Sequence, residues 1–330
     1  MIKRFFGWGY FVYSRSKGKS IFFKVAGNRR MVLSNEEKHM RGYYCFVGNG
    51  AIELNAAVKL CQVSDAVVFK DKRSIISIAH SIKALKHMKK HAECESDSSL
   101  KLYFSKKFVY AGARNKITIL QMFKEQLQSE EVDNIVSRIN NLSESFTRIK
   151  ALKSLDKLRG FEGEVTHLYF SAFSTALMDK YGFPGRVKFP PKDPINAALS
   201  YLYVRLSSIC TEILLNVGLS PKIGFLHETG RNRNSLALDI VEEFRQPVVD
   251  RIVFSLALDG ILDKEKHFIN ESGRVLLNKR GKKLINKSFA LVMREYSSII
   301  EEQANNLKEA ILYGSKYEPY IMRWEDVSVL

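Results

Sequence analysis

Residues 227–245, HETGRNRNSLALDIVEEFR, read as a polar loop that runs into a helix. From Ser235 onward the apolar residues Leu236, Leu238, Ile240, Val241 and Phe244 surround three acids, Asp239, Glu242 and Glu243. Asp239 lies three residues before Glu242 and four before Glu243, which sets the acids on one helical face. Acids crowded in this way repel one another. At the edge of a buried face a bound cation explains them better than solvation alone. Arg231 and Arg233 precede the helix and suit a phosphate held nearby. Taken one at a time, His227 also reads as an ordinary structural histidine and the acids as a solvated face.

Outward from this stretch the C-terminal two-thirds is helical in pattern. Ile117, Leu120, Phe123 and Leu127 recur near one helical face. Helices are expected over about 194–217 and about 287–313, and the one from Ser235 should kink or end at Pro247. Segment 182–193 carries Gly182, Pro184, Gly185, Pro190 and Pro191, with Pro194 next, so it must be a connecting loop. Arg186 and Lys188 sit on it. Glu162, in LRGFEGEVTHLYF (158–170), stands between Gly160 and Gly163, and the glycines predict a sharp turn that places the carboxylate.

The first eighty residues differ. Runs of aromatic and β-branched residues at Tyr10–Tyr13, Ser20–Val25, Tyr43–Val47 and Ala66–Lys70 are punctuated by Gly and Asn. A helical pattern follows over 81–90, and the small polar run ECESDSS (93–99) reads as a linker. The fold class expected is α+β, a small N-terminal β domain over 1–92, a linker over 93–100 and a larger all-helical catalytic domain over 101–330. No internal repeat is visible.

Composition narrows the partners. The 330 residues, 45% of them apolar, are enough for a real core. The net charge of +17 favours a polyanion, nucleic acid being the commonest large one, although a merely soluble basic protein also fits. Residues 1–100 carry 18 Lys and Arg against 8 Asp and Glu, so this third is the densest in positive charge. No apolar run reaches the roughly 18 residues of a membrane span. The start, MIKRFFGWGYFVYSR, is too broken for a targeting signal. Cys45, Cys61, Cys94 and Cys210 are scattered, which suggests reduced thiols in the cytoplasm.

Imidazole and carboxylates together would suit Mg2+ or Mn2+ better than a thiolate metal. Four ordered segments then resemble one family, the CRISPR adaptation integrase, the endonuclease that inserts new spacers into CRISPR arrays. LRGFEGEVTHLYF is similar to its L-x-G-x-E-G … Y-F segment. FPPKDPINAALSYLY (189–203) resembles its P-P-x-D-x-x-N-x-x-L-S-x-x-Y signature. GLSPKIGFLH (218–227) resembles its G-L-x-P-x-x-G-x-x-H segment, and SLALDIVEEFRQPVVDR (235–251) its S-L-x-x-D-x-x-E-x-x-R-P-x-x-D segment. KKFVYAGARNKITIL (106–120) and YGSKYEPYIMR (313–323) also look like it. The resemblance covers about residues 100–325, while the N-terminal third is only loosely similar.

The resemblance implies phosphodiester transesterification, in which a DNA 3′-hydroxyl attacks a target phosphodiester during CRISPR adaptation, an antiviral defence. It assigns a Mg2+ or Mn2+ ion to Glu162, His227 and Glu242. Asp239 would orient His227 or a ligating water, or help hold a second cation. Arg186 and Lys188 would contact backbone phosphates, Arg231, Arg233 and Arg245 would meet phosphates or form structural ion pairs, and Tyr203 would approach nucleic acid or pack. The implied partners are double-stranded DNA, a second copy in a homodimer, and the small second CRISPR-associated adaptation subunit in a heterohexamer, with no membrane. A related integrase of a mobile element is the alternative. Three other readings are weaker. Glu36-x-x-His39 and Glu164-x-x-His167 have the di-iron spacing, but Glu36 lies in the β-like third. His87, His91 and Cys94 could hold zinc, although HMKKHAEC reads better as a solvated basic helix. A non-catalytic scaffold conflicts with the intact acid–histidine–acid set.

Overall fold

The computed structural model describes, in the first eighty residues, the eight strands named next, and beyond them residues 82–127, 129–149, 154–187, 189–230 and 233–323. The chain divides into two compact units, Met1–Ala92 with Leu215–Ser220, and Glu93–Leu214 with Pro221–Leu330.

The first unit is built on two sheets. Its strands are β1 (Lys3–Phe6), β2 (Tyr10–Ser14), β3 (Ile21–Val25), β4 (Arg29–Leu33), β5 (Tyr43–Val47), β6 (Gly50–Ile52), β7 (Ala66–Lys70) and β8 (Ile75–Ala79). One sheet runs β1-β5-β7-β8, parallel except for β8, and the other runs β4-β3-β2-β6, antiparallel except for β6. Phe46 and Val67, on adjacent strands, are buried. The four aromatic and β-branched runs picked out in the sequence are β2, β3, β5 and β7.

The second unit is helical. Helix α1 (Ile82–Ser96) crosses from the first unit, and α2 (Ser98–Met122), α3 (Ser129–Ile149), α4 (Leu155–Tyr181) and α5 (Pro194–Val217) follow. Then come α6 (Ser235–Phe244), a π-helical turn (Arg245–Asp250), α7 (Arg251–Leu258), the single turn α8 (Lys264–His267), strands β9 (Phe268–Glu271) and β10 (Arg274–Leu277), and α9 (Lys279–Tyr313).

Several expectations need correction. The polar run 93–99 is helical on both sides of Asp97, which caps α2 by accepting from the Ser99 and Leu100 amides at 2.8 and 3.0 Å. Asp and Ser make helix N-caps as readily as linkers, and composition does not separate the two. The helical pattern is broken by the β9–β10 hairpin. Its two-residue turn has positive φ at both Ser272 (52°) and Gly273 (75°), the geometry that suits a twisted hairpin. Helix α9 begins at Lys279 rather than near 287, because Asn278 accepts from the Gly281 amide at 2.9 Å. Pro247 neither ends nor sharply breaks its helix. It sits in the π-helical turn, where the widened ladder absorbs its missing donor.

The core is aromatic. Phe173 and Phe254 stack with ring centroids 3.6 Å apart, and Tyr169, Phe170 and Phe183 pack edge-on around Phe254. Ile117, Leu120, Phe123 and Leu127 are all buried, as their spacing predicts. Helix α5 has the length and composition of a membrane span, but half of its most apolar window is buried inside the protein. It also carries Asn196, Tyr203 and Arg205, the pattern of a core helix.

Candidate active site

Helix α6 enters the core at its N-terminus through two close contacts. The Leu236 amide donates to the Pro221 carbonyl at 2.9 Å, and the Ser235 hydroxyl donates to the Glu228 carbonyl at 2.6 Å. A Cβ at Gly224 would lie 2.5 Å from Ser235 Cβ and 2.6 Å from the His227 carbonyl, so only glycine permits this approach. That is the physical content of the G-x-x-H spacing.

Asp239 closes the loop from below. It is fully buried, and its carboxylate accepts the backbone amides of Phe225 (2.6 Å), Leu226 (3.2 Å) and His227 (2.9 Å). The same Oδ1 lies 2.7 Å from His227 Nδ1. A carboxylate only accepts, so in the neutral ring Nδ1 carries the proton and Nε2 keeps its lone pair. Nε2 faces Glu242, 3.9 Å from Oε1.

The three acids of α6 do not share one partner, as crowding on one face had suggested. Asp239 serves the loop. Glu243 accepts the Tyr317 hydroxyl and the Tyr320 amide (2.7 Å), tying the C-terminal tail to the core, and burial pushes its carboxyl up to about 8. Glu242 faces the opposite ring nitrogen of His227, and there Arg245 Nη2 meets its Oε1 at 2.8 Å.

Glu162 lies in mid-helix on α4, not in a turn, because flanking glycines do not break a helix whose neighbours pack well. Neither glycine has anything within 4 Å of where a Cβ would stand, so both leave open space beside the carboxylate. Thr166 donates to Glu162 Oε1 at 2.8 Å. Glu162 and Glu242 share a positive neighbourhood, since both raise Lys116, which burial more strongly lowers, and both raise Arg245. Among the described residues no three His, Cys, Asp or Glu side chains stand close enough to enclose a metal ion. His227 and Glu242 converge, and Glu162 shares their electrostatic pocket without converging on both. The His87, His91 and Cys94 alternative is likewise not assembled. His91 is fully buried rather than solvated, and the Cys94 thiol donates to the Ile311 carbonyl at 3.4 Å.

Behind the acids lies a buried polar cluster that the sequence reading missed. Asp250 accepts the hydroxyls of Tyr169 (3.1 Å) and Tyr203 (2.5 Å), and burial raises its carboxyl to about 6. Asp250 is the closing Asp of segment 235–251, so the signal was present. Tyr203 therefore packs, with Arg245 and Arg186 over its ring at 4.9 and 5.2 Å. Arg159 was also missed. It holds α4 to the site loop through the Leu226 carbonyl (3.1 Å) and Glu228 (3.1 Å).

The proline loop is locked by its own motif. Asn196 donates to the Gly185 carbonyl (2.8 Å) and to Asp193 (2.7 Å), and accepts from the Val187 amide (2.9 Å) and Arg186 (2.8 Å). Arg186 also reaches the Ser200 hydroxyl at 3.1 Å, so it is anchored in the fold. Arg233 is exposed beside the site loop. Lys188 and Arg231 lie outside the described residues. A cavity of about 690 Å³ runs along α4 past Gly163 and Thr166 to Ser171, Thr175 and Arg186.

The comparisons agree with this architecture. The family described as CRISPR associated protein Cas1 matches residues 45–290. A CRISPR-associated endonuclease Cas1 of Thermus thermophilus is 38% identical over 190 residues, 54% of this chain and 60% of that protein. The match thus spans under two-thirds of that relative. One from Methanospirillum hungatei is 30% identical over 242 residues, 70% of this chain and 71% of that protein. Among solved structures, a casposase bound to an integration product aligns with a TM-score of 0.72 at 22% identity, covering 96% of each chain. A Cas1 protein from Thermotoga maritima aligns at 0.65 and 21%, covering 95% of this chain and 98% of that one. A matched span of three-quarters of the sequence, which takes in both His227 of the site loop and Glu242 of α6, leaves one assignment: the chain belongs to the Cas1 family of CRISPR associated proteins.

Proposed function

We propose that this chain catalyses metal-dependent strand transfer of DNA 3′ ends into a CRISPR array, with Glu162, His227 and Glu242 as the ligands of Mg2+ or Mn2+. The observation that carries this reading is the Asp239–His227–Glu242 relay. Asp239 fixes the ring so that the basic Nε2 points at a carboxylate 3.9 Å away. One imidazole with hard oxygen donors suits these ions, and Glu162, which acts on the same Lys116 and Arg245 as Glu242, would add a second carboxylate. When bound, the cation would supply Lewis-acid polarisation of the scissile phosphate. The chain's own residues do the rest. Asp239 holds the histidine, Arg159 holds α4 against the loop, and Arg186 on the wall of the cavity beside Gly163 supplies positive charge for a phosphate approaching along it.

The solved relatives inform the partners. One is a Cas1–DNA complex and another a Cas6-RT-Cas1–Cas2 complex. On this basis we propose DNA and the small second adaptation subunit as partners of this chain, and from the motif resemblance alone a homodimer and a heterohexamer. The basic β-rich third would carry the subunit contacts. The casposase likeness favours a second reading, integration into a target other than a CRISPR array.

The test is an integration assay with labelled short duplexes and supercoiled plasmid, with and without a repeat array, in Mn2+. Glu162→Ala, His227→Ala and Glu242→Ala should each reduce strand-transfer product to background while melting temperatures stay within a few degrees. Near-normal integration by His227→Ala would sink the ligand assignment. Equal use of plasmids with and without the array would favour the second reading.

A further inference from the structure

Lys116 lies on α2, within segment 106–120. It is 2% exposed, so its amine is carried inside the protein. A buried ammonium is costly unless it is paired. Yet among the described residues Lys116 forms neither an ion pair nor a hydrogen bond, and the carboxylates that act on it do so across a gap.

Its place in the fold is fixed. One residue before it, the Asn115 side chain donates to the Glu243 carbonyl of α6 at 2.8 Å and accepts from the Met322 amide at 2.8 Å. One turn before it, Gly112 leaves a small space against α6. A Cβ there would stand 3.4 Å from the Glu242 carbonyl, 3.6 Å from Lys116 Nζ and 3.9 Å from Glu242 Oε2. The ammonium and the Glu242 carboxylate therefore face the same space, while Arg245 holds the other oxygen, Oε1. Burial lowers the Lys116 amine, and the charges of Glu162 and Glu242 act against that. Asp239 takes no part, because its two oxygens already receive three amides and the His227 ring.

We infer that Lys116 is a positioning residue of the strand-transfer site, a fixed internal cation that sets how tightly Glu162 and Glu242 hold a divalent cation. Two cations that act on the same carboxylates oppose one another, and a buried place screens that opposition poorly. The same charge favours the reaction, since fixed cations stabilise negative charge that develops on a phosphate. Lys116 therefore weakens metal binding while it speeds strand transfer. A side chain that merely filled space would do neither, and an apolar one of similar length would fill it at less cost.

This inference rests on the strand-transfer reading above, and the experiment separates the two. The full chain and its Lys116→Met, Lys116→Gln and Lys116→Arg variants are titrated with Mn2+, free Mn2+ being read by electron paramagnetic resonance. Melting temperatures without metal and strand transfer at saturating Mn2+ are measured alongside. Lys116→Met should bind Mn2+ roughly tenfold or more tightly. Its strand transfer should be roughly ten- to hundredfold slower, with the metal-free melting temperature within a few degrees. Lys116→Gln is read in the same way, so a Met variant that failed to fold would not leave the matter open. Lys116→Arg keeps the charge and should keep the Mn2+ affinity of the unaltered chain. Unchanged or weaker Mn2+ binding in the uncharged variants would overturn the inference and leave the function standing, as would undiminished strand transfer. So would equal changes in Lys116→Arg and Lys116→Met, which would make the site sensitive to shape rather than charge. If the unaltered chain binds Mn2+ no better than His227→Ala, the ligand assignment falls and the role of Lys116 with it.

Discussion

Asp239 shows how much one side chain can organise. Its carboxylate receives three successive backbone amides and the imidazole of His227. Asp239→Ala would leave those buried amides without an acceptor, at a cost of about 1–3 kcal/mol, read as a lowered melting temperature. Asp239→Asn keeps an acceptor for the amides but weakens the hold on the imidazole. It should melt near the unaltered chain and integrate about 10–100-fold more slowly. Gly224→Ala makes a different demand, because a Cβ there would overlap Ser235 and the His227 carbonyl. It is expected to destabilise by roughly 1–3 kcal/mol and to abolish strand transfer, since the loop must open to admit the methyl group.

At the scale of elements, helix α6 is held from three directions: the site loop through Asp239, the π-helical turn through Arg245, and the C-terminal tail through Glu243. The tail is the least obvious. Tyr317 and the Tyr320 amide meet Glu243, and the Met322 amide reaches Asn115 on α2 at 2.8 Å. Tyr317→Phe removes one donor from a buried carboxyl and should lower stability by about 1–2 kcal/mol in chemical denaturation, with little effect on strand transfer. Where α4 meets α7, Phe254 stacks on Phe173, and Phe254→Ala should cost about 3–5 kcal/mol. A loss below 1 kcal/mol there would mean that the aromatic cluster closes over the cavity.

At the scale of the molecule, charge should govern the proposed encounter with DNA. The net +17 is densest in the N-terminal third, so DNA affinity should fall steeply with salt. For six to ten phosphate contacts the loss is roughly 10^3–10^5 between about 50 and about 200 mM salt. Titration of a labelled duplex at several salt concentrations measures this, and a flat dependence would contradict the electrostatic account.

The sequence by itself determined the helical segments from their apolar period and the four aromatic β runs. Through ordered motifs it also pointed to Glu162, His227, Glu242 and the supporting Asp239. These signals are local, carried by spacings of two to four residues or by short motifs. Only the tertiary structure decided what each polar group meets. Three acids on one helical face look alike in sequence, yet one binds a loop, one faces a histidine and one anchors a tail 74 residues further on. Glu162 stands in a helix despite its glycines, Tyr203 and Arg245 pack on each other, and the Ser272-Gly273 turn interrupts a helical region. The physical reason is the same in each case. Burial makes an unpaired polar group costly, so its partner is chosen by what packing brings within reach, and packing joins residues far apart in the chain.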